Sequence, residues 1–338
     1  MRFYVGTYTR IGGPGIAVCD LIENKLSLVS IANELGDPTY VILSKDKKRL
    51  YAVSSTSVDG EEGGSAAAYD IEGDKLILRS HYSTAGKAPC HLTCSPDERF
   101  LYVANYLSGS LAVFPITPFG IGRRIQLIQH TGKGPHPTRQ EGPHQHQVTF
   151  IEGTNLLCAV DLGIDAVVTY KQNPETGLLT FAGRMDCEPG LGPRHLAYGK
   201  DGNSAYLLHE LGNAVSVLHR KGDSWVTVQT LSTLPEDWEG NSTAAAIRVS
   251  EDGRKVFASN RGHDSIAVYN IKEAGLLELE GIFTTGGKIP RDFDLLPDGK
   301  ILAAHQEEGG VALLKLEGGK LAPCCEPLPI KGAVCVCF

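Results

Sequence analysis

One five-residue phrase recurs along this chain at intervals of roughly fifty residues, and a period of that size confines the fold to repeat architectures. It reads Tyr51-Ala-Val-Ser-Ser55, Tyr102-Val-Ala-Asn-Tyr106, Cys158-Ala-Val-Asp-Leu162, Tyr206-Leu-Leu-His-Glu210 and Phe257-Ala-Ser-Asn-Arg261. Near the C-terminus it fits as Leu302-Ala-Ala-His-Gln306, and the chain starts with it as Tyr4-Val-Gly-Thr-Tyr8. The 338 residues therefore hold seven copies. In the last slot, Tyr, Ser and Leu give way to Glu210 and Arg261 in adjacent repeats.

Each unit contains four short apolar runs. In one, Cys90–Cys94 is followed by a turn at Ser95-Pro-Asp-Glu98, then by Phe100–Ala104, Ser110–Ile116 and Ile125–Ile128. Short aliphatic and aromatic runs bounded by Gly, Pro, Asn or Asp read as strands. No stretch sustains a helical period with caps, so few helices are expected. Four antiparallel strands in each of seven units predict an all-β, seven-bladed β-propeller spanning 1–338 as one domain. The run Lys331–Phe338 looks like a first strand with nothing after it, and Phe3–Gly6 like a second strand with nothing before it. One blade is therefore expected to close with strands from both termini.

Composition narrows the partners. The net charge is −7 with no basic block, which argues against nucleic acid. Met1-Arg2 leads straight into a strand, and no span reaches membrane length, so a cytoplasmic protein with no membrane partner is expected. Nine cysteines lack zinc-site spacing and are expected as buried, reduced thiols, with no metal site. The segment Gly132–Gly142 has no counterpart in other repeats and is expected as a rim loop, the kind of place where function gathers.

Topology gathers the chemistry. In an antiparallel blade the start of the first strand and the end of the second lie at one rim, near the axis. First-strand starts offer His91, His144, His146, Arg194, His195, Arg291 and Asp292; second-strand ends offer Asn105, Asp161, His209, Glu210, Asn260, Arg261, His305 and Gln306. Arginines, histidines and a carboxylate at one channel mouth make a candidate active site. Asn105, Asp161 and Asn260 are better read as turn formers, and Asp161-Leu-Gly163-Ile-Asp165 is too short for a calcium loop. A structural Glu210–Arg261 ion pair is the competing explanation for those two residues. The first-strand register slips by one residue between repeats, which leaves open whether His144 or His146 faces the channel.

The phrases Val5-Gly-Thr-Tyr8, Gly142-Pro-His-Gln-His146, Gly192-Pro-Arg-His195, His209–Ser216, Ser259–Ile266 and Ile289-Pro-Arg-Asp-Phe293 resemble the lactonase family of seven-bladed propellers, in family order over almost the whole chain. The chain departs from that family at Ala304-His305-Gln306, where Ala-Asn-Gln is common. The resemblance implies hydrolysis of 6-phospho-D-glucono-1,5-lactone, a small anionic sugar lactone, with no cofactor or metal. It also implies His146, Arg194, Glu210 and Arg261 as catalytic; from the same rim, His144, His195, His209, Arg291 and Gln306 are expected as further substrate contacts. On this reading Glu210 serves as base, His146 as acid or co-base, and Arg194 and Arg261 bind the oxyanion and phosphate. No Gly-x-Ser-x-Gly elbow is present, which favours direct attack by water. Two rivals remain at this stage: a muconate-type lactonizing isomerase, whose substrate carries carboxylates instead of phosphate, and a non-enzymatic interaction propeller.

Overall fold

The structure is a computed structural model that describes residues 1–58 and 60–338. Seven antiparallel sheets form a ring of blades. Blade 1 runs from Ala333–Cys337 through Arg2–Thr7 and Ile16–Ile22 to Lys25–Ala32. Blades 2 to 7 open with Val41–Leu43, Pro89–Cys94, Gln145–Phe150, Pro193–Tyr198, Thr243–Val249 and Pro290–Leu295. Blade 3 carries an added short strand, Gly120–Ile121. The described helices are two single 3-10 turns, Thr9–Ile11 and Glu273–Gly275. Among the described residues, no helix is long and apolar enough to cross a membrane.

Both termini build blade 1: Tyr4, Val5 and Gly6 pair with Cys337, Val336 and Cys335. The ring is thereby closed, with the C-terminal strand as the innermost strand of blade 1. Seven apolar clusters fill the seven seams between neighbouring blades. The tyrosine that opens the recurring phrase lies in these seams. Tyr102 and Tyr206 are buried, and their hydroxyls donate across the seam to the carbonyls of Gly177 (2.9 Å) and Gly275 (3.1 Å). Burying the ring contributes apolar stabilisation, and the cross-seam bond satisfies its polar end. This double role accounts for the tyrosine of that slot in the blades of Tyr102 and Tyr206.

The end of the phrase positions the site. The fourth slot of the phrase, at the end of each second strand, holds Thr7, Ser54, Asn105, Asp161, His209, Asn260 or His305, and each is at most 1% exposed. Each fastens a turn or a neighbouring strand. Thr7 Oγ1 donates to Gly15 O, Asn105 Nδ2 to Ser110 Oγ and Asn260 Nδ2 to Thr233 O, while Asp161 Oδ1 accepts from the His144 amide. The next residue is the last slot of the phrase. This slot holds Tyr8, Ser55, Tyr106, Leu162, Glu210, Arg261 and Gln306, and five of the seven line one cavity: Tyr8, Ser55, Tyr106, Glu210 and Arg261. The pairing of His305 with Pro290, matching that of Asn105 with Pro89, supports the later alignment of the last copy.

The first strands carry a second device. Their pairing shifts by one residue between Pro89 and His91, Gln145 and Gln147, Pro193 and His195, and Pro290 and Asp292. Each shift is a β-bulge whose extra residue is Cys90, His146, Arg194 or Arg291. A bulge re-aims the extra side chain and breaks the two-residue alternation. It is the physical origin of the register slip in the sequence.

Candidate active site

Bulge residues and phrase-end residues meet at one mouth of the channel. There they line a cavity of about 530 Å³, whose walls include Cys90, His146, Glu210, Arg261 and Arg291. Arg194 borders a small void of about 20 Å³ that shares Cys90, His146 and Arg291 with the larger cavity.

Glu210 is the hub. Its Oε2 accepts from Arg194 Nε at 2.9 Å and pairs with Arg261 Nη2 at 3.0 Å, and Oε1 accepts from Arg139 Nη2. The carboxylate is only 3% exposed. Burial alone would raise its pKa, but the charges of the arginines, Arg261 and Arg194 foremost, hold it well below the usual carboxylate range. Glu210 is therefore a fixed anion at neutral pH.

Blade 6 makes room for the arginines. Its first strand runs Ala244-Ala245-Ala246 at its own irregularity, where blades 4, 5 and 7 carry His146, Arg194 and Arg291. The bare carbonyls are used: Arg261 Nη2 donates to Ala244 O at 3.0 Å, and Arg194 Nη1 donates to Ala245 O. Burial, then the nearby Arg261, lower the Arg194 pKa to about 9, which keeps the guanidinium charged at neutral pH.

His146 Nε2 stands 3.9 Å from Glu210 Oε2. Burial, then the positive charge of Arg194, depress its pKa well below the ordinary imidazole value. The ring is neutral at pH 7 and can accept a proton. Tyr106 packs edge-on against it at 5.4 Å, and His195 at 5.3 Å from another direction. Cys90 Sγ lies 4.0 Å from His146 Nδ1, but burial pushes its pKa up to about 12. It is a thiol at neutral pH and a poor nucleophile.

Several expected substrate contacts fall elsewhere. His144 lies behind the wall, stacked on Tyr106 at 4.6 Å, with Nδ1 donating to the Tyr106 carbonyl at 3.0 Å. The bulge thus gives the channel to His146 and withdraws His144. His209 ends a second strand and bonds Ser216 Oγ at 2.8 Å inside its blade, away from the cavity. His195 sits beneath His146, one residue past the bulge, and does not line the larger cavity. Gln306 occupies the phrase-end slot of blade 7 yet does not line the cavity either. Arg291 does.

Sequence reasoning missed Arg139, Tyr8, Arg10 and Tyr106. Arg139 comes from the non-repeating segment 132–142 and also donates to Tyr106 Oη at 3.1 Å. Burial opposes its charge, but Glu210 and Tyr106 raise its pKa. The only signal was the loop's lack of a repeat counterpart. The two carboxylates of Asp161-Leu-Gly163-Ile-Asp165 accept backbone amides, Asp161 from His144 and Gly163, and Asp165 from Gly190 and Gly192. They act as turn anchors. The nine cysteines are unpaired, but six are only partly buried, against the expectation that all would be buried. Among the described residues, no group of three or more His, Cys, Asp or Glu side chains could hold a metal ion.

Comparison with known proteins identifies the lineage. The family model for the seven-bladed β-propeller lactonases matches residues 2–338. The chain belongs to that family. It is 38% identical to the 6-phosphogluconolactonase of Bacillus subtilis (strain 168), over 99% of this chain and 97% of that protein. A crystal structure of a Lactobacillus plantarum protein superposes with a TM-score of 0.92 at 31% identity, over 99% of this chain and 98% of that one. The periplasmic gluconolactonase of Pseudomonas aeruginosa gives 0.91 at 28% identity, over 100% of this chain and 98% of that one. For this lactonase-family chain, the seven-bladed ring deduced from the repeat is the observed fold.

Proposed function

We propose that the protein hydrolyses a sugar lactone, 6-phospho-D-glucono-1,5-lactone to 6-phosphogluconate, as a cytoplasmic enzyme. The observation that carries this reading is the Glu210 cluster: a neutral imidazole beside a carboxylate held by three arginines, at the wall of a cavity of small-molecule size. The similarity to the Bacillus subtilis 6-phosphogluconolactonase supports the substrate class.

The charges of the site suggest a division of labour. Water attacks the lactone carbonyl, and negative charge builds on the carbonyl oxygen. Arg261, 11% exposed at its side chain and facing the cavity, stabilises that oxyanion. Both Glu210 oxygens are engaged by arginine donors, so the base role goes to His146. As His146 accepts the proton from water, the carboxylate 3.9 Å away stabilises the imidazolium. The imidazolium then returns the proton to the ring oxygen as the C–O bond breaks. Arg194 acts through Glu210 and is a positioning residue. This assignment gives His146 both proton transfers and makes Glu210, expected from the sequence as the base, its electrostatic partner.

The test is a substrate panel on the purified protein: fresh 6-phosphogluconolactone, glucono-1,5-lactone and a carboxylated muconolactone, each corrected for spontaneous opening. Acceleration of the sugar lactones is the expected result. Turnover of the muconolactone alone would assign the site to the isomerase branch.

A further inference from the structure

The cavity has a second charged wall, formed by blade 7 and blade 1. Arg291 is the bulge residue of blade 7, and its guanidinium carbon lies 5.3 Å from the centroid of the Tyr8 ring. The Arg10 guanidinium carbon lies 3.9 Å from the same ring. Arg10 is fixed by Asp37, with Nη1 to Oδ2 at 2.6 Å and the backbone amide to Oδ1 at 3.0 Å. Thr9 Oγ1 also lies within 3.2 Å of Asp37 Oδ1, so this carboxylate is well supplied with donors. Arg291, Tyr8, Arg10 and Asp37 all border the cavity.

Arg291 differs from every other arginine of the site. Arg139, Arg194 and Arg261 are committed to Glu210, and Arg10 to Asp37. The Arg291 side chain makes no hydrogen bond or ion pair among the described residues; its contact is the Tyr8 ring. It is half-buried, and its charge adds to burial in depressing the pKa of Arg261 against the pull of Glu210. A partly desolvated guanidinium among like charges is costly without an anion. The negative charge missing from this wall is one that a ligand can supply.

We propose that Arg291 and Arg10, braced on the Tyr8 ring, form the phosphate subsite, and that Arg291 sets the preference for a phosphorylated over a plain sugar lactone. The proposal rests on the lactonase reading. A phosphate monoester carries about −1.5 to −2 charge at neutral pH and has three acceptor oxygens. Guanidinium forks match that geometry with paired hydrogen bonds. Placed instead against Arg194 and Arg261, a phosphate would compete with Glu210 for the same donors and undo the cluster. The subsite therefore lies on the other wall, and the lactone ring spans the cavity with its carbonyl toward His146.

The experiment compares full-length wild type with Arg291→Gln, Arg291→Lys and Arg10→Gln. Calorimetry measures affinity for the products 6-phosphogluconate and gluconate, and kinetics compares the two lactones. Wild type should bind 6-phosphogluconate at least about tenfold more tightly than gluconate. Arg291→Gln should weaken 6-phosphogluconate by about 10- to 100-fold, well beyond its effect on gluconate, and raise KM for the phosphorylated lactone more than it lowers kcat. Arg291→Lys should recover part of the loss. Equal losses for both acids, or no preference in wild type, would overturn the subsite. Should Arg291→Gln prove unfolded in a thermal melt, Arg10→Gln carries the same test with a smaller effect. A wild type that opens neither lactone contradicts the lactonase reading, and the product affinities still decide the subsite.

Discussion

On the wall built by blades 4 to 6, three guanidinium groups converge on one carboxylate. On the wall built by blades 7 and 1, Arg291 faces the same cavity with only an aromatic ring beneath it. Both walls use the same two devices, a first-strand bulge and the residue after the second strand. What differs is where the compensating charge comes from. The first wall brings its own anion and is fixed before any ligand arrives. Such a wall suits charge that develops during a reaction, because its dipoles need not reorganise. The second wall leaves a cation for an anion that the ligand carries in.

The largest effect should come from removing what holds both walls in one ring. Deleting residues 332–338 takes away the inner strand of blade 1, including buried Val334, Cys335 and Val336. Buried side chains of this size contribute about 1.5–3 kcal/mol each, which together approaches the whole stability of a typical domain. Loss of the cooperative thermal transition is expected. A truncated chain that melts like the full one would break the ring-closure account.

Next in size is Glu210→Gln, which touches the first wall alone. It leaves buried guanidiniums without their anion, a change that costs about 3–5 kcal/mol in comparable buried pairs. Melting should fall clearly, and kcat/KM should drop by about two orders of magnitude or more. Acid reproduces part of this. The folded pKa of Glu210 is depressed, so its contribution is complete above the unfolded value and is lost as pH falls through the folded one. Urea midpoints measured from pH 7 downward should separate wild type from the variant less and less at low pH.

How much of this was written in the sequence depends on the device. The blades were legible because four runs and a turn repeat with little change. The phrase-end slot was legible because Glu210 and Arg261 stand where the other copies have uncharged Tyr, Ser, Leu or Gln. The bulges were not, since one extra residue mimics a random slip in a two-residue period. For that reason His144 and His146 could not be told apart, and His195 looked channel-facing. His209 misled for a related reason: it precedes Glu210 by one residue, and neighbouring strand residues point to opposite faces. Arg139 was hidden because its loop follows no repeat.

A smaller effect should follow from Arg194→Ala. Arg194 lowers the His146 pKa by its charge, second only to burial, while Glu210 opposes it and Arg291 acts in the same direction as Arg194. Removing Arg194 should raise the His146 pKa. The acid limb of kcat/KM, which reports loss of the neutral imidazole, should move to higher pH. A limb that stays in place or moves down would separate His146 from the titration.

The smallest effect on activity should be at His209→Ala. This histidine lies one residue from the hub yet bonds Ser216 inside the blade. Loss of that buried bond should lower stability by about 1–3 kcal/mol in denaturant melts. Activity per folded molecule should stay within a few-fold of wild type. A large rise in KM would return His209 to the substrate contacts.

The most direct measurement is the initial rate of 6-phosphogluconolactone hydrolysis by wild type and His146→Gln, corrected for spontaneous opening and accompanied by thermal melts. The account predicts clear acceleration by wild type and a loss of about 10²- to 10⁴-fold in the variant at a similar melting temperature. A folded His146→Gln that hydrolyses the lactone as fast as wild type would contradict it.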